Sequence, residues 1–106
     1  MKENKLQANI KHVLTNMGAK VIIIHGGRFM ARGEPDTVGC YKGRAFAMEI
    51  KRLDGNHPLS DIQIHRLHEW HKSGARVGVP RNSHEAVMIV TGEAGPLYGV
   101  PADTPC

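Results

Sequence analysis

Apolar positions along the chain alternate between two periods, and the changes of period mark its elements. From Glu3 to Met17 the apolar residues Leu6, Ile10, Val13, Leu14 and Met17 recur at helical spacing, with Gly18 placed to end the helix. Lys20–His25 is a continuous β-branched run, which reads as a strand buried on both faces. After a basic loop from Gly26 to Arg32, two strands are expected over Pro35–Tyr41 and Arg44–Arg52. Lys42-Gly43 forms the tight turn between them, with Gly43 supplying the positive φ. Helical period returns from Ser60 to Ser73 and stops at Gly74, and Ala75–Val79 is a short strand halted by Pro80. Asn82 or Ser83 can cap a last helix to about Val90, although Val87, Ile89 and Val90 also suit a strand. The order is αβββαβ with a final helix in prospect, an α/β layout with a mixed sheet. One domain is expected over residues 1–91, followed by an irregular Gly/Pro-rich tail over 92–106.

The 41% hydrophobic content of these 106 residues suits one globular core, and the 5% aromatic content leaves that core to aliphatic side chains. Fourteen Lys and Arg against ten Asp and Glu give a formal charge of +4, which favours a polyanionic partner such as nucleic acid. Cys40 and Cys106 form neither a disulfide framework nor a zinc motif. The polar start and the lack of a long apolar run lead us to expect an intracellular, cytoplasmic chain with no membrane segment.

The hairpin register focuses attention on three residues. With a two-residue turn at Lys42-Gly43, Tyr41 faces Arg44 and Asp36 faces Glu49, while Lys51 shares the Glu49 face and Phe46, Met48 and Ile50 form the core face. Two carboxylates at about 4 Å repel by about 4 kcal/mol at an effective dielectric of 20, so a proton, a cation or a metal must offset them. Paired carboxylate oxygens suit Mg²⁺, and Lys51 adds charge beside them. A surface Glu–Lys or Asp–Lys pair is the plainer reading of the same residues.

Gly33-Glu34-Pro35-Asp36, then Glu49-Ile50-Lys51, then Gln63 on the following helix resemble the VRR-NUC (virus-type replication–repair nuclease) branch of the PD-(D/E)XK superfamily, from the first helix to about Val90. The resemblance implies a restriction-endonuclease-like fold and phosphodiester hydrolysis with Mg²⁺ or Mn²⁺. Asp36, Glu49 and the Ile50 carbonyl would bind the metal, and Lys51 would position the attacking water. It also implies a homodimer that cuts branched DNA such as Holliday junctions. Glu34 departs from the small or apolar residue more usual before that proline, and would add an acid near the mouth.

Further positions join this site as expectations. Glu3, in phase with Ile10 and Leu14, is a possible extra metal ligand, or an acid complementing the helix dipole. Gln63, read as the centre of a Leu59–Leu67–Trp70 stripe, is expected to orient Lys51, a water or a phosphate, or else to be a satisfied core amide. Arg28, Arg32, Lys42, Arg44, Arg52 and Arg81 are expected around the site as phosphate contacts, with ordinary solvated charge the equal alternative for any one of them. His65, His68 and His71 resemble a metal run, but the first two lie opposite the stripe and read as a solvated or DNA-facing surface. The competing functions are a non-catalytic nucleic-acid-binding domain of the same fold and a sequence-specific restriction-type nuclease.

Overall fold

The computed structural model describes residues 3–24, 31–51 and 59–103. Along the chain run α1 (Glu3–Asn16), β1 (Lys20–Ile23), β2 (Thr37–Tyr41), β3 (Arg44–Met48), α2 (Asp61–Lys72), β4 (Arg76–Gly78) and α3 (Ser83–Thr91). The expected order is present, and the last element is a helix. The sheet is mixed, in the order β1-β2-β3-β4, with β1, β2 and β3 antiparallel and β3 parallel to β4.

The β2–β3 turn sets the register of everything near it. Lys42 (φ 49) and Gly43 (φ 79) are both left-handed, as a two-residue turn matched to strand twist requires, so the lysine shares a conformation expected of the glycine alone. Tyr41 then pairs with Arg44, and the ladder runs back to Thr37 and Met48.

Both faces of the sheet are covered. Leu6, Ile10 and Leu14 of α1 and Ala86, Ile89 and Val90 of α3 pack with Phe46, Met48 and Ile50 on one face. On the other, Leu67 of α2 packs with Ala47, Ala75, Val77 and Val79. β3 is therefore the strand buried on both sides. β1 is not: it pairs with β2 alone among the described residues, and Ile22 is 49% exposed. A β-branched run reads alike at the centre and at the edge of a sheet, because period carries no information about the lateral neighbour.

Two helices begin on side-chain caps. Ser60 Oγ accepts the Gln63 N–H, and Asn82 Oδ1 accepts the Glu85 N–H, so Asn82 rather than Ser83 caps α3. Gly92 closes α3 in a left-handed conformation. The described segment after α3 has no regular element, but it is docked. Tyr98 bridges to Gly78, its carbonyl accepts the Val79 N–H at 2.8 Å, and Leu97 and Val100 pack on the α2 face. No helix among the described residues is long and apolar enough to cross a membrane.

This connectivity gives the molecule two unlike ends. Each helix starts where β2 begins and β3 finishes, and each ends beside the β2–β3 turn. Gln7 of α1 and Gln63 of α2 reach Asp36 and Glu49, while Gly74, past the end of α2, meets Arg44. The positive ends of three helix dipoles thus face the Asp36–Glu49 side, an arrangement favourable to anions.

Candidate active site

Asp36 is delivered by a constrained approach. Gly33 takes a φ of 81, and a Cβ there would lie 2.9 Å from Ile62 on the first turn of α2, so only glycine allows the chain to pass this close. Pro35 is fully buried behind it. Glu34 does not join the mouth: it sits 4.0 Å from Arg66 Nε, and Arg66 also holds Glu69 at 2.8 Å. A longer aliphatic reach toward α2 places the acid beside a cation there.

The strand ladder ends one pair before Asp36 and Glu49, and their side chains continue it. Beyond Met48 the Glu49 and Lys51 N–H groups donate to Gly78 and Pro80 carbonyls on the β4 side. The Ile50 N–H faces the other way and finds no main-chain carbonyl of β2. It donates instead to Asp36 Oδ1 and Oδ2 at 3.2 and 3.3 Å. In return the Asp36 N–H donates to Glu49 Oε2 at 3.1 Å. The expected register holds, but the two residues meet through main chain to carboxylate rather than as a plain cross-strand pair.

Each layer then contributes a donor. Gln7 Nε2 of α1 donates to Asp36 Oδ2 at 3.2 Å, and the Thr37 hydroxyl donates to Oδ1 at 3.0 Å. Gln63 Nε2 of α2 donates to Glu49 Oε1 at 3.2 Å, while Gln63 Oε1 accepts the Ser60 N–H at 2.9 Å in a capping box. Gln63 is half-buried, with Ile64 and Leu67 forming the buried part of α2, so it stands at the edge of the stripe rather than its centre. Glu49 is 6% exposed, and burial of a carboxylate this deep is compensated by these donors.

Lys51 lies two residues beyond Glu49, its N–H likewise bonded on the β4 side, and is half-buried. It borders an open cavity of about 410 Å³ shared with Val79, Arg81, Tyr98 and Gly99. Arg81 grips Glu85 with Nε and Nη2 at 3.2 and 2.9 Å. That hydrogen-bonded fork raises the pKa of the arginine and holds the buried Glu85 carboxyl below its ordinary range.

The remaining expected residues divide. Arg32 is exposed, and its carbonyl accepts from Arg66 Nε at 3.2 Å. Lys42 and Arg44 are not around the site: six residues of extended chain separate Asp36 from Lys42, about 20 Å at about 3.3 Å per residue. Arg44 Nε instead donates to the Gly74 carbonyl at 2.8 Å, just past the C-terminus of α2. Arg28, Arg52 and the Glu3 side chain lie outside the described residues. Two of the histidines meet the C-terminal segment, His65 Nδ1 lying 3.3 Å from Asp103 Oδ2 and His68 Nε2 lying 2.8 Å from the Pro101 carbonyl. They fasten the C-terminal segment to α2. Among the described residues no three His, Cys, Asp or Glu side chains gather as a metal cluster.

Gln7 is the site residue that the sequence reading missed. It lies four residues after Glu3 and three before Ile10, on the very face from which the acid was expected.

Comparison with solved structures finds the same architecture. A structure described as a VRR_NUC domain superimposes with a TM-score of 0.65, covering 84% of this chain and 94% of that one at 20% sequence identity. The two share the restriction-endonuclease-like α/β fold, a mixed sheet with flanking helices. No protein-family model matches the sequence, and no curated protein is a significant match to it.

Proposed function

We propose that the chain is a metal-dependent nuclease that hydrolyses phosphodiester bonds in DNA, with Asp36, Glu49, Lys51 and Gln63 as its working residues. The observation that carries this reading is the meeting of Asp36 and Glu49 at the sheet end, fixed from α2 by Gln63, with Lys51 next along the chain. The likeness in fold to a VRR_NUC domain supports it.

The donor set fits a hard cation. Asp36 and Glu49 offer carboxylate oxygens, and the Ile50 main chain faces Asp36 so that its carbonyl can join them; Glu3 is a further candidate. Mg²⁺ or Mn²⁺ bound there would acidify a water and neutralise charge developing on phosphate. Gln63 and Gln7 keep the two carboxylates from turning away. Lys51 holds the attacking water and offsets negative charge on the phosphate oxygens. Water oxygen joins phosphorus as the bond to the leaving sugar oxygen breaks, giving one phosphate end and one hydroxyl end.

The substrate we propose is branched DNA, Holliday junctions included, cut by a homodimer, because one site cannot cut two strands in concert. Three helix N-termini on the site side favour phosphate without reading sequence. Ile22, on the β1 edge, is an exposed large apolar side chain suited to a contact between copies. Incubation of four-way junctions with the native chain in Mg²⁺ or Mn²⁺ is expected to give cleavage that Asp36→Ala and Lys51→Ala each abolish. Junction binding without cleavage in either metal would replace this reading with a non-catalytic binding domain.

A further inference from the structure

The cavity beside Lys51 has more structure than hydrolysis requires. Its volume of about 410 Å³ lies in the range of about 300–1,000 Å³ typical of clefts that enclose small ligands. Val79, Gly99 and Tyr98 give it apolar and aromatic walls, and Lys51 and Arg81 give it two cations. That combination suits a nucleotide, with its flat apolar base and charged phosphate.

The aromatic wall is held firmly. Tyr98 bridges to Gly78 and accepts the Val79 N–H at 2.8 Å through its carbonyl, and the residue also packs against the α1–α3 core. Gly99 turns the chain with a φ of 73, its Cβ position 3.3 Å from the Val79 carbonyl oxygen. Arg81 is anchored by Glu85 through Nε and Nη2, which leaves Nη1 outside the fork on a side chain 52% exposed. The Tyr98 side chain also hydrogen-bonds with the Arg81–Glu85 pair, and a ring held by that contact and by the core loses little freedom when a base stacks on it.

We infer that this cavity receives the base of an unpaired nucleotide beside the scissile phosphate, stacked on Tyr98, with the neighbouring phosphate held by Arg81. The inference deepens, and rests on, the nuclease reading of the adjoining site. A base inside a duplex is already stacked and paired and cannot turn into a side cavity without losing both interactions. The pocket therefore selects DNA with unpaired nucleotides at a branch or an end.

The test is equilibrium binding in EDTA, where no cutting occurs. The probes are a branched DNA carrying 2-aminopurine at an unpaired position next to the branch, and a fully paired duplex. Tyr98→Ala is expected to weaken binding of the first about 5- to 150-fold, the range for one lost base–aromatic stack, and to abolish the change in 2-aminopurine fluorescence. Binding of the duplex is expected to change less than about 2-fold, and Tyr98→Phe, which loses the hydroxyl contact with Arg81 and Glu85 but keeps the ring, to retain the change in 2-aminopurine fluorescence. Tyr98→Leu, which keeps apolar contact with the core, stands in where the alanine variant fails to fold. Equal losses on both DNAs, or native affinity in the Ala or Leu variant, overturn the inference. Cleavage in Mg²⁺ separates the two readings: a chain that cuts branched DNA with Tyr98 irrelevant sinks the pocket alone. One that stacks the base but never cuts sinks the nuclease alone.

Discussion

Gln63 is bonded at both ends of its amide, with Nε2 on Glu49 Oε1 at 3.2 Å and Oε1 on the Ser60 N–H at 2.9 Å. One side chain therefore caps α2 and orients a carboxylate on the neighbouring strand. The helix start and the site are fixed by the same two contacts.

These roles separate by mutation. Gln63→Ala is expected to slow cleavage about 10- to 100-fold, the usual cost of losing a partner that orients a ligand, and to destabilise the fold by about 1 kcal/mol. Ser60→Ala removes the hydroxyl cap but not the contact with Glu49, so it is expected to cost similar stability with activity within about 3-fold of native. Denaturant titrations beside cleavage rates check both. Equal activity losses in the two variants would mean that Gln63 acts only as a cap.

Gln7 gives a parallel case without the cap. Its amide meets Asp36 Oδ2 from the middle of the first two turns of α1, so Gln7→Ala leaves the helix intact. We expect a loss of about 10- to 100-fold in cleavage, visible as weaker activation by Mg²⁺ in a metal titration. The midpoint of thermal unfolding is expected to stay within a few degrees. Activation by Mg²⁺ identical to that of the native chain would remove Gln7 from the site.

Much of this was legible in the sequence, for physical reasons that can be located. Lys42-Gly43 is a turn that only one pairing satisfies, so the register and the proximity of Asp36 to Glu49 followed from counting. What counting could not supply was lateral and layered information. The edge position of β1, the docking of Tyr98 onto Gly78 and the grip of His65 and His68 on the C-terminal segment join residues far apart in the chain. Gln7 escaped because a polar residue at the border of an apolar stripe looks solvated until the strand end it reaches is known.

The approach to Asp36 is expected to be intolerant of side chains. Gly33→Ala forces a Cβ to within 2.9 Å of Ile62 and puts a non-glycine residue at φ 81. A destabilisation of about 1–3 kcal/mol is expected from the backbone strain alone. Ile62→Ala in the same chain removes the two Cγ contacts but neither the one with the Ile62 main-chain carbon nor the φ, so it is expected to recover only part of the loss. Full recovery in urea titrations would show that crowding, not conformation, selects glycine.

The Arg81–Glu85 pair predicts a pH effect with a definite sign. Glu85 has its carboxyl pKa lowered from an ordinary 4.5, chiefly by its hydrogen bond from Arg81. Its contribution to stability is therefore fully present above the ordinary carboxylate value and is lost as pH falls from there through the lower folded value. Arg81, raised from a value already far above neutrality, adds no slope in that window. Urea midpoints taken from pH 6 down to pH 3 are expected to fall less steeply in Glu85→Gln than in the native chain. Parallel curves would show that the pair is too solvated to count.

The unlike ends of the molecule make a final prediction about where DNA does not act. Lys42 and Arg44 sit at the turn, about 20 Å along the strands from Asp36, where α2 ends and its dipole is negative. Cations there complement helix carbonyls, as the Arg44 bond to Gly74 illustrates, and are badly placed for a phosphate in the site. Lys42→Gln is therefore expected to leave the cleavage rate and the salt dependence of DNA binding unchanged. Arg81→Gln, at the other end, is expected to reduce the slope of log affinity against log salt by about one phosphate contact. A reduced slope in Lys42→Gln instead would place a DNA arm along the full length of the sheet, and the turn would become part of the binding surface.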